Sequence, residues 1–136
     1  MKMLFVCKSN VGRSQMAEVF FEKKSKSGEV KSAGCNPGKW DGKSLEETTH
    51  VTPCMDEVGI DVRKRVSKRI TLEMVDWADK IVVFNSDKAD WPDCLKNSKK
   101  VEVLDVEDPR HGDLDKHREI RDEIKGLVEK FVAEEQ

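Results

Sequence analysis

Met3-Leu4-Phe5-Val6-Cys7-Lys8-Ser9-Asn10-Val11-Gly12-Arg13-Ser14 is the stretch on which the reading of this chain turns. Its first half is an unbroken apolar run of strand length, the pattern of a strand buried on both faces. The run ends at a cysteine. Six positions on, an arginine and a serine open the amphipathic run Gln15-Met16-Ala17-Glu18-Val19-Phe20-Phe21. Strand, short polar loop and helix start form an arrangement that binds an oxyanion, because the loop N–H groups and the helix N-terminus offer donors and partial positive charge. Arg13 adds a planar fork suited to a tetrahedral anion. A thiolate at Cys7 is then a nucleophile aimed at the anion the loop attracts.

The loop residues Lys8, Ser9, Asn10, Val11 and Gly12 each fit this reading. Asn tolerates the left-handed conformation and bonds to nearby backbone, so Asn10 is expected to fix the loop. Gly12 is expected to let the main chain approach the anion. Ser14 can donate to the thiolate; its plainer reading is an ordinary serine at a helix start.

Working outward, the first helix is predicted over Ser14 to Lys24, with Met16, Ala17, Phe20 and Phe21 inward. Glu29 to Ala33 alternates and reads as a strand closed by Gly34. Cys35 to Lys43 reads as a loop that carries Trp40 as a candidate pocket wall. Thr52-Pro53 is read as a helix start, with Thr as cap and Pro in the first position, and Gly59 as its end. Leu72, Val75 and Ala78 mark a short helix. Lys80-Ile81-Val82-Val83-Phe84 is the most strand-like run and is read as a central strand. Ser86 to Lys100 is read as a polar loop that carries Trp91-Pro92 and has room for a helical turn. Val101 to Leu104 is the last strand, and Asp105 to Leu114 a loop. From Asp115 on, Ile120, Ile124, Leu127, Val128, Phe131 and Val132 share one helical stripe. Strands alternating with helices imply an α/β fold with a parallel sheet, and put the Cys7 loop at the carboxyl edge where such sheets bind ligands.

These residues resemble the low molecular weight protein tyrosine phosphatase superfamily, which includes the thioredoxin-coupled arsenate reductases. Arg13 to Glu18, Ser32-Ala33-Gly34, Glu57 to Asp61 and Ala78 to Phe84 are most similar to the reductase branch. Asp108-Pro109 resembles a general-acid motif common to both branches. The resemblance implies a three-layer α/β/α architecture with a four-stranded parallel sheet, the Rossmann-like phosphotyrosine phosphatase I fold, in one domain over residues 1–136. It implies Cys7 as nucleophile, Arg13 as anion clamp, Ser14 as hydroxyl donor and Asp108 as general acid. Composition alone does not choose among Asp105, Glu107, Asp108 and Asp113; the Asp-Pro match selects Asp108. Arg110 and His111 stand where tyrosine phosphatases usually carry aromatic residues, so Arg110 is a candidate pocket wall and phosphotyrosine specificity is in question.

The reductase branch often binds potassium. The matching positions are Asn10, Glu18, Ser32 and Asp61, and a hydrogen-bond network without an ion is the equal alternative. That branch also carries two further redox cysteines. Asn85 stands at the first position, and Cys94 lies a little beyond the second, where a structural thiol is the stronger reading. Cys35, Cys54 or a small thiol would have to stand in.

Lys and Arg (25) nearly cancel Asp and Glu (27), and a net charge of −2 gives no general attraction to nucleic acid or membrane. The first strand is too short for a signal peptide or a membrane span. Four cysteines in so charged a chain are expected to be reduced thiols, as in the cytoplasm. No cysteine or histidine spacing suggests zinc, and His50, His111 and His117 show no ligating pattern; His111 is read as a solvated loop residue. The lead function is a cysteine-dependent phosphatase of phosphate monoesters, expected to be monomeric and to need no cofactor. The rivals are an arsenate reductase drawing on thioredoxin or a small thiol, and a catalytically weak oxyanion-binding module.

Overall fold

In β1 (Lys2–Cys7), Met3 to Cys7 are all at most 2% exposed, and alternate side chains enter two separate cores. The chain's structure is a computed structural model that describes residues 1–135. On one face Phe5 stacks on Phe84, with ring centroids 6.0 Å apart and planes 8° from parallel, and meets Phe21 edge-on. This core also holds Met16, Ile120, Ile124 and Val128. Leu4 and Val6 point the other way, among Ala33, Ile70, Val75, Trp91 and Leu95. Coverage on both faces is why β1 reads as unbroken apolar sequence rather than as an alternation.

Four parallel strands form the sheet: β1, β2 (Glu29–Gly34), β3 (Lys80–Val83) and β4 (Val101–Val103), in the order β2-β1-β3-β4. Cys7 pairs with Gly34 on one side, and Val6 with Val83 on the other. The connection out of β1 goes one way and the later strands lie the other way, so the carboxyl end of β1 is the switch point where open sheets hold ligands. The helices are α1 (Arg13–Lys24), α2 (Val51–Asp56), α3 (Leu72–Trp77), α4 (Asp93–Lys96) and α5 (Leu114–Glu134). The predicted stripe of α5 is inward, with Ile120, Ile124, Val128 and Phe131 buried and Leu127 and Val132 partly so. Among the described residues no helix is long and apolar enough to cross a membrane.

Several boundaries differ from the sequence reading: α1 opens at Arg13 rather than Ser14, and α2 ends at Asp56 rather than Gly59. Helix α2 begins at Val51 with His50 as its N-cap, so Thr52 lies inside the helix rather than capping it. Thr48 takes the capping part, its hydroxyl accepting from Thr52 N at 3.3 Å. Pro53 remains in the first turn, where its missing N–H costs nothing. Ser86 to Lys100 holds a 3-10 turn (Lys88–Asp90) and the short α4, the helical turn that the sequence reading allowed there. Val101 to Leu104 shortens to Val101–Val103.

Candidate active site

The loop from Lys8 to Gly12 joins β1 directly to α1. Asn10 is fully buried at φ 57°, the left-handed conformation expected of an asparagine there. Its Nδ2 donates to Ser14 Oγ at 2.7 Å and to Ser32 Oγ at 3.0 Å. Cys7 Sγ lies 3.0 Å from Ser14 Oγ. Since the hydroxyl already accepts from Asn10, its single proton is free for the sulfur. Ser67 secures the loop from outside, donating to Ser9 O at 2.6 Å.

The protein itself leaves room for a side chain at Gly12. At φ −113° a Cβ would meet only Val51 Cγ2 at 3.8 Å, an ordinary contact. The glycine that space demands is Gly34, on the neighbouring strand. A Cβ there would lie 2.8 Å from Lys8 O, 2.9 Å from Ser9 C and 3.0 Å from Asn10 N. Close approach of β2 to the loop backbone needs a residue without a side chain. The glycine read from sequence as closing the second strand is thus the one against which the Cys7 loop packs.

Arg13 is 6% exposed and firmly held: Nη1 donates to Phe84 O at 3.2 Å, just past β3, and to Val106 O at 2.9 Å, past β4. Nη2 lies 3.5 Å from Asp108 Oδ2. Of the four candidate acids, Asp108 alone lines the pocket over Cys7. Asp113 caps α5, accepting from Lys116 N at 2.9 Å. Glu107 pairs with Lys116 at 2.9 Å, and Asp105 and Glu107 line a smaller adjoining cavity. Arg110 closes the Asp108 turn, donating its N–H to Oδ1 at 3.0 Å with Nε 3.4 Å from Oδ2.

The pocket has a volume of about 600 Å³, and Trp40 and Arg110 both line it, as their wall reading expects. His111 is exposed at the rim. His50 and His117, far apart in sequence, stand with ring centroids 5.0 Å apart on the same wall. His117 is buried and its Nδ1 lies 2.9 Å from Asp113 O. A carbonyl only accepts, so the Nδ1 of His117 carries a proton and donates it there. No spacing rule joins positions 50 and 117; the α2–α5 contact brings them together.

A family model described as low molecular weight phosphotyrosine protein phosphatase matches residues 2–136. The chain belongs to this family. Its relatives include a protein-arginine-phosphatase from Geobacillus stearothermophilus, 29% identical over 96% of this chain and 93% of the relative. An arsenate reductase from Staphylococcus haemolyticus is 31% identical over 93% and 92%. The solved low molecular weight protein tyrosine phosphatase from T. tengcongensis superposes with a TM-score of 0.82 at 29% identity, over 98% of this chain and 99% of that one.

In this member of the low molecular weight phosphatase family, three of the four potassium positions cluster and the fourth does not. Ser32 Oγ donates to Glu18 Oε1 at 2.6 Å and accepts from Asn10. Asp61 lies outside, exposed, accepting from Arg63 N at 3.0 Å and Arg63 Nη1 at 3.1 Å. The Arg63 bonds hold its carboxyl below the usual range. Within the cluster stands the ammonium of Lys68, 3.3 Å from Asn10 Oδ1, 3.2 Å from Ser32 Oγ and 4.0 Å from Glu18 Oε1. A potassium ion does not fit: the oxygens it would use are bonded to a lysine, and one proposed ligand is elsewhere. Nothing in the local pattern around Lys68 marks it for this place.

The family's redox relay is not assembled either. Cys94, in α4, packs against the Leu4–Val6 core and lines neither cavity. Cys35 is adjacent to Cys7 along the sheet edge, its thiol donating to Cys7 O at 3.4 Å. Burial first, and then the charge of Cys7, push it up to about 12, which makes it a poor nucleophile at neutral pH. Cys54, on the buried face of α2, is raised to about 11, chiefly by burial.

Proposed function

We propose that the protein is a cysteine-dependent phosphatase that hydrolyses phosphate monoesters through a cysteinyl-phosphate. The observation that carries the reading is the 3.0 Å contact from Ser14 Oγ to Cys7 Sγ, with Asn10 donating to the same hydroxyl. A proton aimed at sulfur stabilises the thiolate both as nucleophile and as leaving group, which only covalent turnover requires.

Cys7 Sγ attacks phosphorus while the ester P–O bond breaks. Arg13 holds the equatorial oxygens as charge spreads over them, together with the loop N–H groups. Because Nη1 is committed to two carbonyls, the clamp uses Nε and Nη2. Asp108, whose Oδ2 lies 3.5 Å from Arg13 Nη2 at the edge of the pocket, acts as the general acid and gives a proton to the leaving oxygen. It then takes a proton from a water that attacks the cysteinyl-phosphate. The S–P bond breaks, the sulfur returns to Ser14, and phosphate leaves. Every group in the scheme belongs to the chain itself, side chain or backbone, so the scheme calls for no cofactor. Reduced thiols suit the cytoplasm, and the chemistry is complete in a monomer.

The test is a panel measured side by side on the purified protein: p-nitrophenyl phosphate, phosphotyrosine and phosphoarginine peptides, and arsenate with thioredoxin or a small thiol. Phosphate release is expected from the esters. Arsenate reduction without ester hydrolysis would replace this reading with that of the reductase relatives, an outside thiol doing the work that Cys94 is not placed to do. Anion binding without either turnover would leave only a binding module.

A further inference from the structure

Behind the Cys7 loop, Asn10, Ser32, Glu18 and Lys68 share a network of donors and acceptors, with Gln15 beside them. Asn10 Oδ1 accepts from Lys68 N at 3.0 Å, Lys68 Nζ at 3.3 Å and Gln15 Nε2 at 3.1 Å. Three donors on one side of the amide oblige its NH₂ to face the other way, toward Ser14 and Ser32. Ser32 Oγ accepts from Asn10 Nδ2 and Lys68 Nζ and spends its one proton on Glu18. Glu18 is also 3.3 Å from Arg65 Nη1. Reversing the Asn10 amide would set its NH₂ against an ammonium and two N–H groups. Ser14 would then face an amide oxygen and turn its proton away from Cys7.

We propose that Lys68 is a built-in cation for the catalytic loop. Its ammonium takes the place a monovalent ion would hold among Asn10, Glu18 and Ser32, fixes the Asn10 amide, and so keeps the Ser14 proton directed at Cys7. Lys68 touches no substrate and is a positioning residue. Its effect on rate rests on the phosphatase reading, whereas its effect on ion dependence does not. A tethered cation costs no ion-binding entropy and is present at every potassium concentration, so the protein is indifferent to potassium.

The experiment measures thermal unfolding and p-nitrophenyl phosphate kinetics for wild type and Lys68→Met, in potassium and in tetramethylammonium at equal ionic strength. Wild type should give the same Tm and kcat in both salts. In Lys68→Met the oxygen cluster loses its cation. In tetramethylammonium its kcat should fall about tenfold, at the lower end of what loss of an outer-shell partner costs, with KM little changed. Potassium should restore part of that loss and raise the variant's Tm by about 3 °C, because an ion that binds only the folded state stabilises it. A wild-type Tm or kcat that responds to potassium would overturn the proposal, and that arm holds even if the variant does not fold. So would a folded Lys68→Met with unchanged kcat, or one indifferent to potassium in both readouts. If the protein hydrolyses no ester, the Tm arm still decides on Lys68, and the phosphatase reading fails separately.

Discussion

Replacing Gly34 with alanine isolates the packing of β2 against the catalytic loop. Gly34 has no positive φ, so its backbone accepts alanine, and in a strand that exchange is ordinarily favourable. Only the surroundings oppose it. The new methyl would meet three loop backbone atoms at 2.8 to 3.0 Å, and each must retreat by roughly half an ångström to reach ordinary contact. Gly34 itself is pinned, its N–H donating to Lys68 O at 2.8 Å and its carbonyl accepting from Ile70 N at 3.0 Å. The loop must therefore yield. Overpacking of this kind costs about 1–3 kcal/mol, a fall in Tm of about 3–12 °C for a chain of this size. Misplacing a nucleophile by a fraction of an ångström should lower kcat about tenfold or more. The assay pairs thermal unfolding with p-nitrophenyl phosphate kinetics. Gly12→Ala serves as the stability control, since its methyl meets nothing closer than 3.8 Å. A Gly34→Ala protein with wild-type Tm and kcat would refute the idea that the loop's shape depends on this contact.

Cys7→Ser should abolish turnover yet keep phosphate binding by calorimetry, because Arg13 and the loop donors remain; Arg13→Lys should lose about 10²–10³-fold in kcat, since a point charge cannot serve two carbonyls and a phosphate at once. Asp108→Asn should slow alkyl and phenyl phosphates by about 10²–10⁴-fold and activated aryl phosphates less; an equal small loss across a leaving-group series would return the acid role to Asp105, Glu107 or Asp113. Glu57 joins α2 to α5 through Arg118 and Arg121, whose hydrogen bonds lower its carboxyl from 4.5 to about 2. A lowered folded-state value means that the stabilisation is complete above the unfolded value, fades as pH falls below it and is gone below about 2. Glu57→Gln should therefore unfold at lower temperature than wild type at pH 7, with the gap closing as pH approaches 2 in a melting series.

The parts of the site written contiguously were legible. Cys7, Asn10, Arg13 and Ser14 lie within eight residues, and strand, loop and helix start fix their mutual geometry almost by themselves. The parts that close the site from elsewhere were not. Lys68 lies in an irregular stretch, and long-range bonds such as the bridge of Arg69 to Gly34 and Ser67 to Ser9 O bring it behind the loop. His50 and His117 meet because α2 packs on α5, a fact of tertiary packing. Asp61 was assigned to a cation cluster by position, but a neighbouring arginine claims it. The parallel sheet was readable for the opposite reason: β1 and β3 are buried on both faces, and continuous apolar runs are the simplest periodicity to recognise. Helix α2 was misplaced at its start because its cap came from Thr48, four residues before Thr52, where a nearest-neighbour reading does not look.

Arg13 shows why fold and site are hard to separate in this protein. Its Nη1 bonds to carbonyls that follow β3 and β4, on two different chain segments, so its position reports the spacing of both strand ends. Phe84 directly follows β3, Val106 lies past the end of β4, and Val106 N donates to Phe84 O at 3.3 Å, so the two acceptors are fixed to each other just beyond the sheet. The guanidinium proposed to meet phosphate is thus oriented by backbone at the sheet's carboxyl edge. Phe84 carries one of these carbonyls while its ring stacks on Phe5 beneath the loop, which ties the anion clamp to the centre of the core. Loosening Phe5–Phe84 packing should therefore move Arg13 before it unfolds the chain. Phe84→Leu, which keeps the backbone carbonyl and removes the stack, should weaken phosphate binding at temperatures where circular dichroism still reports a folded protein. If affinity instead held constant up to the unfolding transition, the core and the clamp would be independent.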